Sequence, residues 1–173
     1  MSKFKLALIG TGHIADFHVP ALRNAGFEII GCTGNIDSKT APEFAKKHKI
    51  ANLYNGTRDL SKNSEDWDGL VIAVTVENTI EVLNDFLIFK KPILVEKPIS
   101  LTPENFDNFK GIKSPVQVAY NRRFYSTIQR AKKFIEENSP CLIKMELPEQ
   151  INFELSEKEQ DFYSVRNSQS EKL

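Results

Sequence analysis

Lys5-Leu6-Ala7-Leu8-Ile9-Gly10-Thr11-Gly12-His13-Ile14-Ala15 decides how the rest of the chain is read. Lys5 to Ile9 has the length and apolar character of a buried strand and passes straight into a turn with two glycines, after which a helix is expected to about Ala25. Strand, glycine turn and helix form the arrangement that a dinucleotide pyrophosphate needs. The first glycine permits the tight turn, the second lets the backbone approach the phosphates, and the helix N-terminus offers free N–H groups with a partial positive charge. Ala15 holds the third position of that fingerprint, where helix and strand pack closely. The plain alternative is a glycine turn that serves chain reversal alone. Pro20 falls inside the expected helix and predicts a kink there or an early end.

Working outward, short apolar runs alternate with amphipathic stretches, the βαβ pattern of a mostly parallel sheet. Strands are expected at Glu28–Cys32, Leu70–Thr75, Ile93–Val95 and Val116–Tyr120, and helices at Ala41–Lys47 and Thr79–Phe89. Thr102-Pro103-Glu104 reads as a further helix start, with an N-cap, a proline at the first helical position and early negative charge. Beyond this region come a helix over Ser126–Glu137, a strand over Cys141–Leu147 closed by Pro148, and a tail from Glu149 with no clear period. The fold class is therefore α/β, a Rossmann-type doubly wound parallel sheet followed by the start of an incomplete second α/β domain. The expected boundaries are residues 1–121 for the nucleotide-binding domain and 122–173 for the remnant of a substrate and oligomerisation domain.

Composition narrows the function classes. The 173 residues include 23 basic and 23 acidic side chains, so there is no basic excess of the kind that nucleic-acid binding through counterion release uses. No apolar run approaches the roughly 20 residues that span a bilayer, and the start is too briefly apolar for a signal peptide. Two cysteines, Cys32 and Cys141, supply neither a disulfide framework nor metal-ligand spacing, and a cytoplasmic location is expected.

After the second strand, a dinucleotide site calls for an acid that grips a ribose 2'-hydroxyl. Thr33-Gly34-Asn35-Ile36-Asp37-Ser38-Lys39 stands there: Asn35 or Asp37 serves NAD if the loop folds back, while Ser38 and Lys39 suit a 2'-phosphate. The choice between NAD and NADP stays open. Glu96-Lys97-Pro98 ends the strand at Ile93–Val95, at the carboxyl edge of the sheet where ligands of open α/β folds bind. A lysine there donates a hydrogen bond to a reacting oxygen or exchanges a proton with it. His13 opens the nucleotide helix, within reach of a phosphate or of solvent. His18 and His48 read as surface residues, Cys32 as core, and Trp67 as the cap of an apolar layer or part of an interface.

Taken together, these pieces resemble the glucose-fructose oxidoreductase / inositol dehydrogenase (Gfo/Idh/MocA) family. The resemblance rests on Ala7 to Ala15, Phe44-Ala45-Lys46-Lys47-His48, Val71-Ile72-Ala73-Val74-Thr75, Val95-Glu96-Lys97-Pro98-Ile99 and Val118-Ala119-Tyr120-Asn121-Arg122-Arg123-Phe124, in order, over about residues 3 to 147. It implies an NAD- or NADP-binding Rossmann domain, and hydride transfer at a carbon of a sugar, sugar nucleotide or cyclitol. Gly10, Gly12, His13 and Ile14 would line the pyrophosphate, Ala73 and Thr75 a ribose. Glu96 and Lys97 would face the nicotinamide and the substrate hydroxyl, with Lys97 catalytic and Asn121 and Arg123 nearby; Asn35 joins the cofactor set from the loop reading. No metal is called for.

The departures are informative. Val76, Glu77, Asn78 and Ile80 replace the turn and histidine that relatives commonly carry after the fourth strand. The relatives are much longer, and their second domain supplies an aspartate and, shortly after it, a histidine for proton transfer. Here the histidines are His13, His18 and His48, all upstream of Lys97. The expectation is a truncated member that binds the dinucleotide with little or no turnover alone. Its rivals are a working enzyme that relies on Lys97 or a partner chain, and a non-enzymatic nucleotide sensor or assembly partner pairing through the Cys141–Leu147 strand. A methyltransferase also uses a glycine turn but leaves Glu96-Lys97-Pro98 unexplained.

Overall fold

Side-chain alternation along β1 (Lys5–Ile9) sets the architecture: Leu6 and Leu8 enter one apolar layer and Ala7 and Ile9 the other, all four buried. A strand buried on both faces requires helices on both sides of its sheet. The computed structural model describes residues 3–102, 109, 113–139, 142 and 144. In chain order the elements are β1, α1 (His13–Asn24), β2 (Glu28–Thr33), α2 (Thr40–His48), β3 (Asn52–Tyr54), α3 (Gly56–Lys62), β4 (Gly69–Ile72), α4 (Val76–Leu87), β5 (Ile93–Val95), β6 (Val116–Val118) and α5 (Ser126–Asn138). The six strands form one sheet in the order β3-β2-β1-β4-β5-β6, and every neighbouring pair is parallel. That is the doubly wound order, in which connections leave β1 toward one edge and later return to its other side. Contacts group the chain into a first unit that runs to Ile128 and a second that begins at Gln129.

On one face, Ala15 and Val19 of α1 and Phe44 and Ala45 of α2 pack on Leu6, Leu8, Ile29 and Val71. On the other, Leu60 of α3 and Leu83 and Phe86 of α4 pack with Trp67 on Ile9, Leu70, Ile72 and Val95. Each large side chain so buried contributes about 1.5–3 kcal/mol. Trp67 is fully buried, with its ring 5.5 Å from Phe89 and 6.1 Å from Phe86, so it is a core residue and presents no interface.

The strands at Lys5–Ile9 and Ile93–Val95 end where expected, and other expected elements appear with shifted ends. Helix α1 does not stop at Pro20 but continues to Asn24. Pro20 lies on its exposed face, while the buried stripe through Ala15 and Val19 holds the helix to the sheet. β4 ends at Ile72, and Ala73–Thr75 link it to the next helix without regular structure. Helix α4 starts at Val76, three residues earlier than the apolar periodicity indicates, because Thr75 takes the extended backbone of an N-cap. β3 and α3 carry too few residues to show a period and were not expected. The helix start at Thr102-Pro103-Glu104 and the strand at Cys141–Leu147 lie largely outside the described residues. No helix among the described residues is long and apolar enough to cross a membrane.

His18 and His48 are partly buried and bonded to carboxylates, not solvated surface residues. His48 Nε2 lies 2.6 Å from Asp16 Oδ1, Lys47 Nζ lies 2.9 Å from the same oxygen, and Arg23 donates to the His48 carbonyl at 2.6 Å. This cluster ties α1 to the end of α2. The hydrogen bonds from His48 and Lys47 hold the Asp16 carboxyl below its ordinary value of 3.8. A carboxyl depressed in the folded state stabilises above its unfolded value, and that contribution disappears as pH falls through the folded value. Asp16→Asn should therefore melt below the parent at pH 5 to 7, and the difference should close as pH is taken well below 3.8. Thermal melts of both proteins across that range check it; a gap that persists at the acid end would show that the ion pair is not its source.

Candidate functional site

β1 and β4 are neighbours, yet their following connections leave toward opposite edges of the sheet. Just outside their carboxyl ends lies a cleft of about 700 Å³, the position where open α/β sheets bind ligands. Its wall is built from the turns after β1, β2 and β4 together with the starts of α2, α3 and α4.

The two glycines of the first turn have different jobs. Gly10 has φ of 100°, its N–H donates to the Thr33 carbonyl at 2.8 Å, and a Cβ there would stand 2.1 Å from the Ala73 carbonyl oxygen. Its lack of a side chain is a requirement of the fold. Gly12 is the N-cap of α1 at φ of −84°, a value open to any residue, and a Cβ there would meet nothing within 4 Å. Nothing in the protein asks for glycine at this position, and the empty space beside it is where a ligand's phosphates could approach the backbone. No side chain caps α1. Thr75 caps α4 without bonding its N–H groups by side chain; its hydroxyl accepts from Asn78 Nδ2 at 3.0 Å. Two helix N-termini thus open on one cleft, each carrying a partial positive charge. Among the described residues neither lysine nor arginine lines it, and Glu81 supplies a carboxylate. An anion in this cleft would be held by backbone N–H groups. That set, beside the space at Gly12, fits a pyrophosphate.

At the end of β2, the buried Thr33 hydroxyl lies 3.0 Å from the carbonyl of Tyr54 and 3.0 Å from that of Gly34, which anchors the following loop to β3. The Ser38 N–H donates to the Asn35 carbonyl at 3.0 Å, closing a turn in which Asp37 takes φ of 58°. Asn35, Ser38 and Thr40 reach the cleft wall; Asp37 and Lys39 do not. Of the two ribose candidates, the structure brings Asn35 to the cleft.

A second group lies further along the same sheet edge. His18 Nε2 is 2.8 Å from Glu96 Oε1, and Glu96 Oε2 accepts the Lys97 N–H at 3.0 Å. The Glu96 N–H donates to the Ile72 carbonyl at 2.8 Å, which extends the β4–β5 pairing by one residue. The Lys97–Pro98 peptide is cis. Asn121 and Arg123 sit in the 3-10 turn that follows β6, with the Arg123 guanidinium 5.7 Å from the Phe124 ring centre.

Gly10, Gly12, Asn35, Ala73 and Thr75 therefore share one cleft wall. His13 and Ile14 occupy the first turn of α1, exposed, with the His13 ring edge-on to Phe17 at 5.0 Å. Glu96, Lys97, Asn121 and Arg123 stand at the carboxyl ends of β5 and β6, outside that wall. Sequence reasoning missed Thr40, Asn78 and Glu81 in the cleft, which no motif marks. It also missed His18, although spacing three residues after Ala15 places it beside the buried stripe of α1.

Residues 4–115 match the model of the Gfo/Idh/MocA family, described as an oxidoreductase family with an NAD-binding Rossmann fold. The chain belongs to that oxidoreductase family. It is 26% identical over 140 residues to the rhizopine catabolism protein MocA of Rhizobium meliloti, a match spanning 76% of this chain and 42% of that protein. Among solved structures, it superposes with a TM-score of 0.70 at 23% identity on myo-inositol dehydrogenase from Lactobacillus casei in complex with NAD(H) and myo-inositol, covering 79% of this chain and 42% of that one. The WlbA dehydrogenase of Chromobacterium violaceum, in complex with NADH and UDP-GlcNAcA, gives a TM-score of 0.67 at 20% identity over 78% of this chain and 40% of that one. These two likenesses establish the Rossmann fold. The Gfo/Idh/MocA chain described here spans about two-fifths of the length of the relatives it matches.

Proposed function

We propose that the chain binds NAD or NADP in the Gly10–Gly12 cleft and forms the dinucleotide-binding part of an oxidoreductase acting on a sugar, sugar nucleotide or cyclitol. The observation that carries this reading is Gly12: an N-cap whose backbone any residue could adopt, with open space where its Cβ would be. A bound nicotinamide dinucleotide would supply the hydride acceptor or donor. The protein's part is to hold the pyrophosphate on the N–H groups of α1, with the free end of α4 adding to the positive potential. The Asn35 amide and the Ser38 and Thr40 hydroxyls would meet the adenosine ribose. They can donate equally to a 2'-hydroxyl and to a 2'-phosphate, so both dinucleotides remain in the reading.

Lys97 is assigned the substrate hydroxyl: as an ammonium it would donate a hydrogen bond to that oxygen, and as a neutral amine it would take the hydroxyl proton while the hydride passes from carbon to the nicotinamide. Asn121 and Arg123 would line the same end. The histidines have other duties or other places. His18 is bonded to Glu96, His48 to Asp16, and His13 packs on Phe17. The 173-residue chain alone is therefore expected to bind the dinucleotide with little or no turnover. The substrate class follows what the relatives' names carry, myo-inositol and UDP-GlcNAcA among them.

Calorimetric titration of the purified chain with NAD, NADH, NADP and NADPH tests the reading. Saturable one-to-one binding of at least one is the expected result and ranks the two ribose types. A folded chain that binds none of the four overturns it. Where turnover is seen, Lys97→Ala should abolish it while leaving nucleotide affinity within about threefold, a change of less than about 0.7 kcal/mol.

A further inference from the structure

We propose that His18 is a positioning residue for Lys97, acting through the Glu96 carboxylate and tying the helix that opens the cleft to the lysine after β5. The link to catalysis rests on the dinucleotide reading above; the bond network does not.

Both oxygens of Glu96 are engaged, Oε1 with His18 and Oε2 with the Lys97 N–H. A carboxylate only accepts, so the proton of the His18 bond sits on Nε2. The pair bridges 78 positions of sequence, and its side chains keep 14% and 21% of their exposure, so solvent screens it less than an open surface pair. Without His18, the Glu96 side chain is free to turn toward water, and the Lys97 N–H loses its acceptor.

The helix makes the bond directional. Ala15 and Val19, on either side of His18 in sequence, are buried against the sheet, so the backbone that carries His18 cannot move away unless α1 lifts. Gly12 caps the same helix six residues earlier, about 9 Å along the axis at 1.5 Å per residue. One rigid element therefore presents its N-terminus to the cleft and its second turn to Glu96. A dinucleotide seated on the first would fix the second.

Two measurements decide this. In the chain without nucleotide, hydrogen exchange of the Lys97 amide is followed by NMR. His18→Phe keeps a ring and deletes the donor, and should speed that exchange about tenfold while core amides such as Leu8 and Ile72 are unchanged. His18→Gln, which restores an N–H donor, should recover most of the protection. Uniform acceleration at all amides, or none at Lys97, would show that His18 is a packing residue only. Should His18→Phe fail to fold, His18→Leu deletes the same donor with a smaller side chain and His18→Gln remains the rescue; an unchanged Lys97 amide in the folded His18→Leu protein overturns the proposal.

The second measurement is reductive methylation of Lys97 Nζ with and without NADH, quantified by peptide mass spectrometry against Lys62 in the same sample. NADH should shield Lys97 in the parent. In His18→Phe that shielding should be lost with NADH affinity held within about threefold. Shielding retained in the variant overturns the coupling. A parent that binds no NADH defeats the dinucleotide reading instead, and amide exchange then decides the role of His18.

Discussion

Gly12→Ala is expected to weaken NADH binding about a hundredfold, roughly 2.7 kcal/mol, while leaving the fold intact. At φ of −84° alanine is unstrained, and its Cβ would enter space that no protein atom occupies. The added methyl would stand between the phosphates and the N–H groups of α1. The cost to stability is that of alanine rather than glycine at an N-cap, about 1 kcal/mol or less. Gly10→Ala should behave in the opposite way. At φ of 100°, and with a Cβ 2.1 Å from the Ala73 carbonyl oxygen, the turn after β1 must move away from the turn after β4. Positive φ alone costs about 1–2 kcal/mol for a residue with a side chain, and displacing a buried backbone adds to it, so a loss of ~3 kcal/mol or more is expected. Thermal melts and NADH calorimetry on the two variants separate these roles. Parent-like affinity in Gly12→Ala would remove the observation on which the nucleotide assignment stands.

Trp67→Ala should be the most destabilising of the core truncations and the least informative for the ligand. The ring is fully buried against Phe86 and Phe89, with Lys91 Nζ 4.5 Å above it. Lys91 also donates to the carbonyls of Ser64 and Trp67, each at 2.6 Å, so the ring backs a connected corner beside α3 and α4. Removing it should cost about 3–5 kcal/mol and lower the melting temperature by roughly 10 °C. Trp67 precedes β4, at the amino edge of the sheet, whereas the cleft lies at the carboxyl edge. NADH affinity measured at 10 °C, where the variant is still folded, should match the parent. A matching loss of affinity would mean that the packing at this corner sets the geometry of the cleft.

Much of the fold was legible because parallel α/β sheets write it locally. Lys5–Ile9 and Ile93–Val95 are apolar runs of strand length, and both end where expected. The ends of β4 and α4 were misplaced because Ala73-Val74-Thr75 is as suited to a strand as Leu70-Val71-Ile72. The Ala73 N–H still donates to the Ile9 carbonyl at 2.8 Å, and the pairing goes no further because β1 gives way to its glycine turn, where the Gly10 N–H bonds to Thr33 instead. β3 was missed for a related reason. Asn52-Leu53-Tyr54 is too short for a period and is a strand because β2 offers it an edge.

By itself the sequence determined the class of fold and the glycine turn, since residue-scale periodicity and backbone freedom require no knowledge of distant neighbours. The motif order from Ala7 to Phe124 also pointed to the oxidoreductase family. The tertiary structure alone decided which of the two glycines serves the fold and which leaves room for a ligand. It also chose Asn35 over Asp37 at the cleft, buried Trp67, and turned two presumed surface histidines into partners of Asp16 and Glu96. The physical reason is separation: the His18–Glu96 bond joins residues 78 apart, and they meet because the parallel strand order brings the carboxyl ends of β1 and β5 to the same edge of one sheet. Local pattern encodes the elements, and chain crossover decides which side chains share a site.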